Sequence, residues 1–194
     1  MLADKFKNYK IILASESPRR NFLLKEIGLN FEVKVNGNID EVYPDNIDKK
    51  NIPVYLSELK SNSWDNKLND NTIVITADTI VLLKNKVINK PANSIEAEQM
   101  LKELSGEMHL VITGVCIKSK FKKVTFDDTS KVFFKKLTND EIKWYVENYK
   151  PFDKAGAYGI QEWIGYIGIK KIEGSYFNVM GLPIHRVYEE LINF

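Results

Sequence analysis

Thr72-Ile-Val-Ile-Thr-Ala-Asp78-Thr-Ile-Val-Leu-Leu83 is the stretch from which the fold and the chemistry of this chain are read. It is apolar and rich in β-branched residues, a run of strand type, and a carboxylate stands in its middle. An ionised carboxylate buried without a partner costs several kcal/mol or is neutralised. Asp78 therefore calls for a cation, a set of donors or catalytic work. The bland alternative is an Asp at a strand end or tight turn, and the rest of the chain decides between them.

Upstream of this run, Lys10-Ile-Ile-Leu-Ala14 reads as a short buried strand. Ser15-Glu-Ser-Pro-Arg-Arg20 follows, and then a helix with Phe22, Leu23, Leu24 and Ile27 on one face. Ser17 suits its N-cap and Pro18 its first position, while Gly28 ends it. A strand at about 30–35, a polar loop at about 36–51 with Asp40 and Glu41, and a helix over about 53–66 lead to the turn Asn69-Asp-Asn71. Downstream, Lys84-Asn-Lys86 turns the chain into Val87-Ile88, and a helix runs from Ser94 to about Ser105, closed by Gly106. Two long strands follow at 108–118 and about 122–136. Thr138-Asn-Asp-Glu141 is a capping box opening a helix that stops before Pro151, and Pro183 to Phe194 has helical spacing again. The interval 156–182 holds six of the ten glycines, a density that usually means tight turns and less often lets backbone approach a ligand closely. Strands and helices alternate loosely, so the expected fold is α/β with a mixed sheet, in a single domain over residues 1–194.

The bulk properties exclude several classes. With 194 residues, 44% of them hydrophobic, the chain can bury one sizeable core. No segment approaches the unbroken apolar length of a membrane span, and the first residues lack a signal-peptide core, so no membrane partner is expected. A net charge of +2 argues against a dedicated nucleic-acid binder. Cys116 is the single cysteine, which forbids an intrachain disulfide and suits a reducing cytoplasm. With two histidines and one cysteine, any metal here is a hard cation on oxygen ligands, Mg²⁺ or Mn²⁺.

Four groups of residues carry candidate chemistry. Ser15 to Arg20 is a polar loop entering a helix N-terminus, whose free N–H groups and positive dipole end, with Ser15, Ser17, Arg19 and Arg20, suit phosphate oxygens. Glu41 and Asp78 are the carboxylates that could fix a hard cation. Lys90, just before Pro91, is a candidate counter-charge for a triphosphate, and Lys60 is a weaker candidate for the same job. A surface lysine is the bland reading for both, and the preferred one for Lys60. Asp153 to Gln161 could set the Gln161 amide against a base edge. His109, Trp144, Trp163 and Tyr166 read as structural, in the core or an interface.

Taken together, these strings resemble the Maf family, the septum-formation or nucleoside triphosphate pyrophosphatase family. The matching segments are 13–20, Ala77-Asp-Thr-Ile-Val81, Lys90-Pro91, Leu104 to His109, Thr113-Gly-Val115, Asp153 to Gln161 and Gly174 to Pro183, in the family's order. The resemblance implies a cytoplasmic enzyme, often a homodimer, that hydrolyses a nucleoside triphosphate to the monophosphate and pyrophosphate with a divalent cation. It also implies an elongated sheet flanked by helices, in two lobes around a cleft, similar to the inosine triphosphatase type. Asp78 matches the family's proton acceptor; Ser15, Arg20, Glu41 and Lys90 match surrounding polar residues. Arg19, Thr79 and Gln161 match the branch acting on dTTP and UTP rather than the 7-methyl-GTP branch. A neutral Gln can serve the O4/N3–H edge of uracil or thymine, where a Glu would favour guanine donors. The alternatives are another or a modified nucleotide, or a nucleotide-binding regulator of septum formation with little catalysis. Pool cleansing and division arrest would leave the same residues. The chain departs from the family's habit at Glu16, at Glu162 and in Ser57-Glu-Leu-Lys-Ser61, where Ala-x-Glu-Lys-Ala is commoner.

Overall fold

A computed structural model describes residues 2–37 and 39–194; Asn38, in the expected polar loop, lies outside the described residues. In chain order the elements are α1 (Leu2–Lys5), β1 (Lys10–Leu13), α2 (Pro18–Glu26), β2 (Glu32–Val33), α3 (Ile52–Asn62), β3 (Thr72–Leu83), β4 (Lys86–Ile88) and α4 (Ser94–Leu104). Then come β5 (Met108–Ser119), β6 (Lys123–Phe134), α5 (Asn139–Tyr149), α6 (Trp163–Gly168), β7 (Ile169–Glu173), α7 (Tyr176–Met180) and α8 (Ile184–Ile192). The strands form a seven-stranded sheet of order β2-β1-β3-β5-β6-β7, with β4 paired to β3. β1 runs parallel to β2 and β3, while β3–β4 and β6–β7 are antiparallel, so the sheet is mixed, as expected.

Two compact units divide the chain: Met1–Asp78, Thr113–Asp128 and Gly181–Phe194 in the first, Thr79–Ile112 and Thr129–Met180 in the second. β3, β5 and β6 therefore each contribute residues to both. In the first unit, α3 lies on the face of β3 that carries its even-numbered residues. Thr76 donates its hydroxyl to the Ser57 carbonyl at 2.6 Å, and Val74 packs with Ile12 and Trp64. The approach of α3 to β5 is very close: a Cβ on Gly114 would lie 2.2 Å from the Pro53 carbonyl carbon. Only glycine permits that contact. In the second unit, α5 opens with the capping box of Thr138 and Glu141 and buries Ile142, Tyr145 and Val146. The hairpin between β3 and β4 turns on Lys84 and Asn85, both at positive φ, which is the geometry of a tight hairpin turn.

The structure differs from the sequence reading in several places. Phe22 is 54% exposed, because it stands about 200° round the helix from buried Leu24 and so cannot share its face. The strand expected at 30–35 is confined to Glu32–Val33, both exposed. The glycine-rich interval is not only turns: it holds α6, β7 and α7. β7 reads as polar because it lies at the end of the strand order and carries Lys170, Lys171 and Glu173, the charged dress of an edge strand. Trp144 and Tyr166, expected in the core or an interface, are 45% and 78% exposed and lie at the surface of the chain. His109, by contrast, is buried and structural, its Nε2 at 2.8 Å from the Tyr158 hydroxyl.

Candidate active site

Parallel pairing of β1 with β3 puts Leu13 opposite Ile75, so the chain leaves β1 three residues short of Asp78 on the neighbouring strand. The Ser15–Arg20 loop thus begins beside the stretch of β3 that leads to the carboxylate, and parallel strands commonly bind ligands beyond their carboxyl ends. Within the loop, Ser15 Oγ accepts from the Ser17 N–H at 3.3 Å, and Ser17, as expected, caps α2. Arg20 reaches back from the first turn of α2. Its Nη1 donates to Ser15 Oγ at 3.2 Å and to the Ala77 carbonyl at 2.9 Å, and its Nε donates to the Gly181 carbonyl at 2.9 Å. A guanidinium fork can serve several acceptors at once, and here it ties the loop, β3 and the entry to α8 together.

Asp78 is buried, 9% exposed, yet it is not turned into an apolar interior. Lys60 Nζ lies 2.7 Å from Asp78 Oδ1 and 3.0 Å from Glu41 Oε1. The register of α3 on β3 explains the contact. Ser57 meets Thr76, and three residues along the helix, about 4.5 Å, bring Lys60 alongside Asp78, two residues or about 6.6 Å along the strand. The small residues flanking Lys60 belong to the same face: Ser57 and Ser61 are fully buried, with hydroxyls satisfied by the Val54 and Glu58 carbonyls. Buried and self-satisfied, the two serines let this face of the helix pack closely, and Lys60 reaches both carboxylates.

Lys60 thus joins the candidate site, where the sequence reading had it as a weaker counter-charge candidate and preferred a surface lysine. A signal was present: a lysine placed between two small residues at helical spacing, beside a strand with a lone acid. Arg20, Ser15, Asp78 and Glu41 stand as one electrostatic group. Burial lowers the Arg20 guanidinium from its ordinary range; Asp78 and Glu41 act the opposite way, and Arg19 adds to the fall. Among the described residues, no group of three or more His, Cys, Asp or Glu side chains is placed to hold a metal. Two carboxylates do converge on one cation, the Lys60 ammonium, and such a pair is the donor set that Mg²⁺ takes when substrate phosphates complete its shell.

The remaining expected residues fall in the second unit. Thr79 follows Asp78 on β3 and so points to the opposite face of the sheet. Lys90 is exposed just past β4, and the neighbouring Asn89 carbonyl accepts from the Gly156 N–H at 3.1 Å, which ties it to the 153–161 segment. Gln161 is partly buried; its Oε1 is enclosed and accepts no hydrogen bond among the described residues.

A mixed α/β sheet with a phosphate-suited loop at the end of one strand and an acid–lysine–acid set on the next has the makings of a nucleotide-handling α/β protein. The fold is that of a HAM1 protein from Coxiella burnetii, which aligns over 96% of this chain and all of its own with a TM-score of 0.55 at 12% identity. Residues 10–194 match the family of Maf-like proteins, and the chain belongs to that family. It is 51% identical over the full length of both chains to a dTTP/UTP pyrophosphatase from Parabacteroides distasonis. It is 49% identical to one from Flavobacterium johnsoniae over 98% of each chain, and 46% identical to one from Porphyromonas gingivalis over all of this chain and 98% of that one.

Proposed function

We propose that this protein is a nucleoside triphosphate pyrophosphatase that hydrolyses dTTP and UTP to the nucleoside monophosphate and pyrophosphate. The observation that carries the reading is the Lys60 ammonium held between Asp78 and Glu41 beside the Arg20-clamped loop. Triphosphate chemistry is mostly a matter of placing phosphates and offsetting their charge, and this group contains three cations and two carboxylates. In the proposed mechanism, the Ser15–Arg20 loop receives phosphate oxygens on its N–H groups and arginines. Asp78, held by Lys60, takes the proton of the attacking water. Lys60 holds the two carboxylates in register and adds positive charge where the pentavalent phosphorus gathers negative charge. Mg²⁺ or Mn²⁺ is the proposed cofactor. Glu41 and Asp78 would hold it, and when bound it would polarise the phosphate and compensate the leaving pyrophosphate. Thr79, Lys90 and Gln161 are assigned to the same substrate through their match to the family's pattern, with Gln161 reading the pyrimidine edge.

A cytoplasmic setting and a homodimeric assembly complete the proposal, with no nucleic-acid or membrane partner. No helix among the described residues is long and apolar enough to cross a membrane, and the single cysteine, Cys116, is buried. The test is the product of UTP cleavage in the presence of Mg²⁺. UMP with pyrophosphate is expected, and Asp78→Asn should lower turnover by about 10²–10⁴-fold, the range of a general base. UDP with inorganic phosphate, or wild-type turnover by the Asn variant, would overturn the assignment.

A further inference from the structure

The turn that carries Gln161 is held by a buried polar cluster for which the reaction as described has no use. Tyr145, on α5, is fully buried, and its hydroxyl makes two bonds: it accepts from the Gly159 N–H at 3.1 Å and donates to Glu162 Oε2. Those two partners are the ends of one four-residue turn, closed by the Glu162 N–H donating to the Gly159 carbonyl at 3.0 Å. Gln161 is the third residue of that turn. The other oxygen of Glu162, Oε1, lies 3.0 Å from Lys154 Nζ, which also bonds Asp153 at 2.7 Å. Lys154 is 8% exposed, so its charge is neutralised inside the cluster rather than by water. Burial first, and then the Glu162 carboxylate, hold the Tyr145 phenol well above its usual range, so it stays a donor toward Glu162.

Space around the turn is equally constrained. A Cβ on Gly159 would lie 2.7 Å from the Glu162 carboxyl carbon, and one on Gly165 would lie 1.9 Å from the Ile160 carbonyl oxygen. At Gly165 the obstacle is backbone, so that glycine is a condition for folding the segment onto itself, whereas at Gly159 it is the carboxylate of Glu162. The turn is thus pinned at each end, by one hydroxyl, and closed from outside by backbone contact.

That rigidity matters because of what a glutamine amide is. It carries a donor and an acceptor, so by flipping it can match the keto edge of a uracil as well as the amino edge of a cytosine. A freely turning Gln161 discriminates neither. Its Oε1 is enclosed and accepts no hydrogen bond among the described residues, which makes it an acceptor awaiting a donor such as the N3–H of uracil or thymine. We propose that Tyr145, Glu162 and Lys154 are positioning residues that clamp the Gln161 turn and thereby set the preference for a keto over an amino pyrimidine. This rests on the pyrimidine triphosphatase reading above and adds the residues that enforce its selectivity. It also gives Glu162, which departs from the family's habit, a role in this chain.

The experiment compares kcat/KM for UTP and CTP in the wild type, Tyr145→Phe, Glu162→Ala and Glu162→Gln, with melting temperatures for each. The same proteins are titrated calorimetrically with UMP and CMP. Tyr145→Phe and Glu162→Ala should each narrow the UTP-over-CTP preference by about tenfold, the equivalent of one hydrogen bond, through a rise in KM for UTP rather than a fall in kcat. Glu162→Gln should keep most of the preference, because its amide oxygen still accepts from Tyr145. A merely structural cluster would lower both nucleotides equally and leave the ratio alone; that result in Tyr145→Phe and Glu162→Ala overturns the clamp. If the wild type cleaves no triphosphate, the reaction itself is refuted. The clamp is then judged on UMP against CMP binding, where an unchanged ratio overturns it and a lost preference supports it.

Discussion

Lys60 and Asp78 are worth more as a pair than as two residues. Their side chains are 17% and 13% exposed, so removing either partner strands the other's charge in a poorly solvated place. Lys60→Met and Asp78→Asn should each destabilise the fold, and the double variant should recover part of the loss, with a coupling energy of about 1–3 kcal/mol in urea unfolding. Additive losses would show that the ion pair contributes nothing beyond solvent. For catalysis, Lys60→Met should depress kcat/KM for dTTP by about 10²–10³-fold, the scale of a lost preorganised cation or donor, measured by pyrophosphate release. His109 makes a different prediction at the same scale. Burial lowers its pKa from 6.5 to about 3. Across that window the unfolded chain binds a proton that the folded one refuses, so stability falls as the pH drops below 6.5 and is unaffected above it. The slope from this one group is about 1.4 kcal/mol per pH unit. His109→Gln should flatten the acid limb of a plot of urea midpoint against pH, and an unchanged limb would assign the acid sensitivity to other groups.

The element that decides the site is α3. Its position is fixed by the absence of a side chain at Gly114, where Pro53 and Val54 bring their backbone against β5, and by the Ser57 and Thr76 contact further along. A methyl group at Gly114 would meet three backbone atoms within 2.4 Å, none of which is a flexible side-chain end. Gly114→Ala should therefore destabilise the protein by about 1–3 kcal/mol and lower turnover as well, because a shift of α3 moves Lys60 away from Asp78 and Glu41. Thermal melting and pyrophosphate release together check this; loss of stability with unaltered kcat would mean that α3 stays in place. At this scale much of the structure was legible beforehand. Ser17 and Pro18 at the start of α2, the Thr138–Glu141 box on α5 and the Lys84–Asn85 turn all lie within a few residues of the group they satisfy. Elements whose reason lies elsewhere were not: β7 is a strand only because β6 pairs with it, and α6 tolerates Gly165 only because Ile160 leans on it.

For the whole molecule, β3 is the reference. Of its twelve residues only Thr79 is not buried, and it contributes to both compact units. Its central amides should exchange hydrogen only through global unfolding, while those of β2 and β7, at the ends of the strand order, exchange through local opening. Native-state hydrogen exchange against denaturant checks it; sub-global opening of β3 would show instead that one unit unfolds while the other stays folded.

Local order in this chain was written in the sequence. Strand character, helix caps, hairpin turn and the ordered string of family motifs depend on neighbours a few residues away, so Asp78, Ser15 and Arg20 could be singled out from the string alone. What tertiary structure decided is who meets whom. Lys60 became the partner of Asp78 and Glu41, Arg20 became a brace on Ala77 and Gly181, and one tyrosine hydroxyl came to hold both ends of the Gln161 turn. Each of those pairings joins residues of different elements, brought together only when those elements pack, and that packing is written in no single segment.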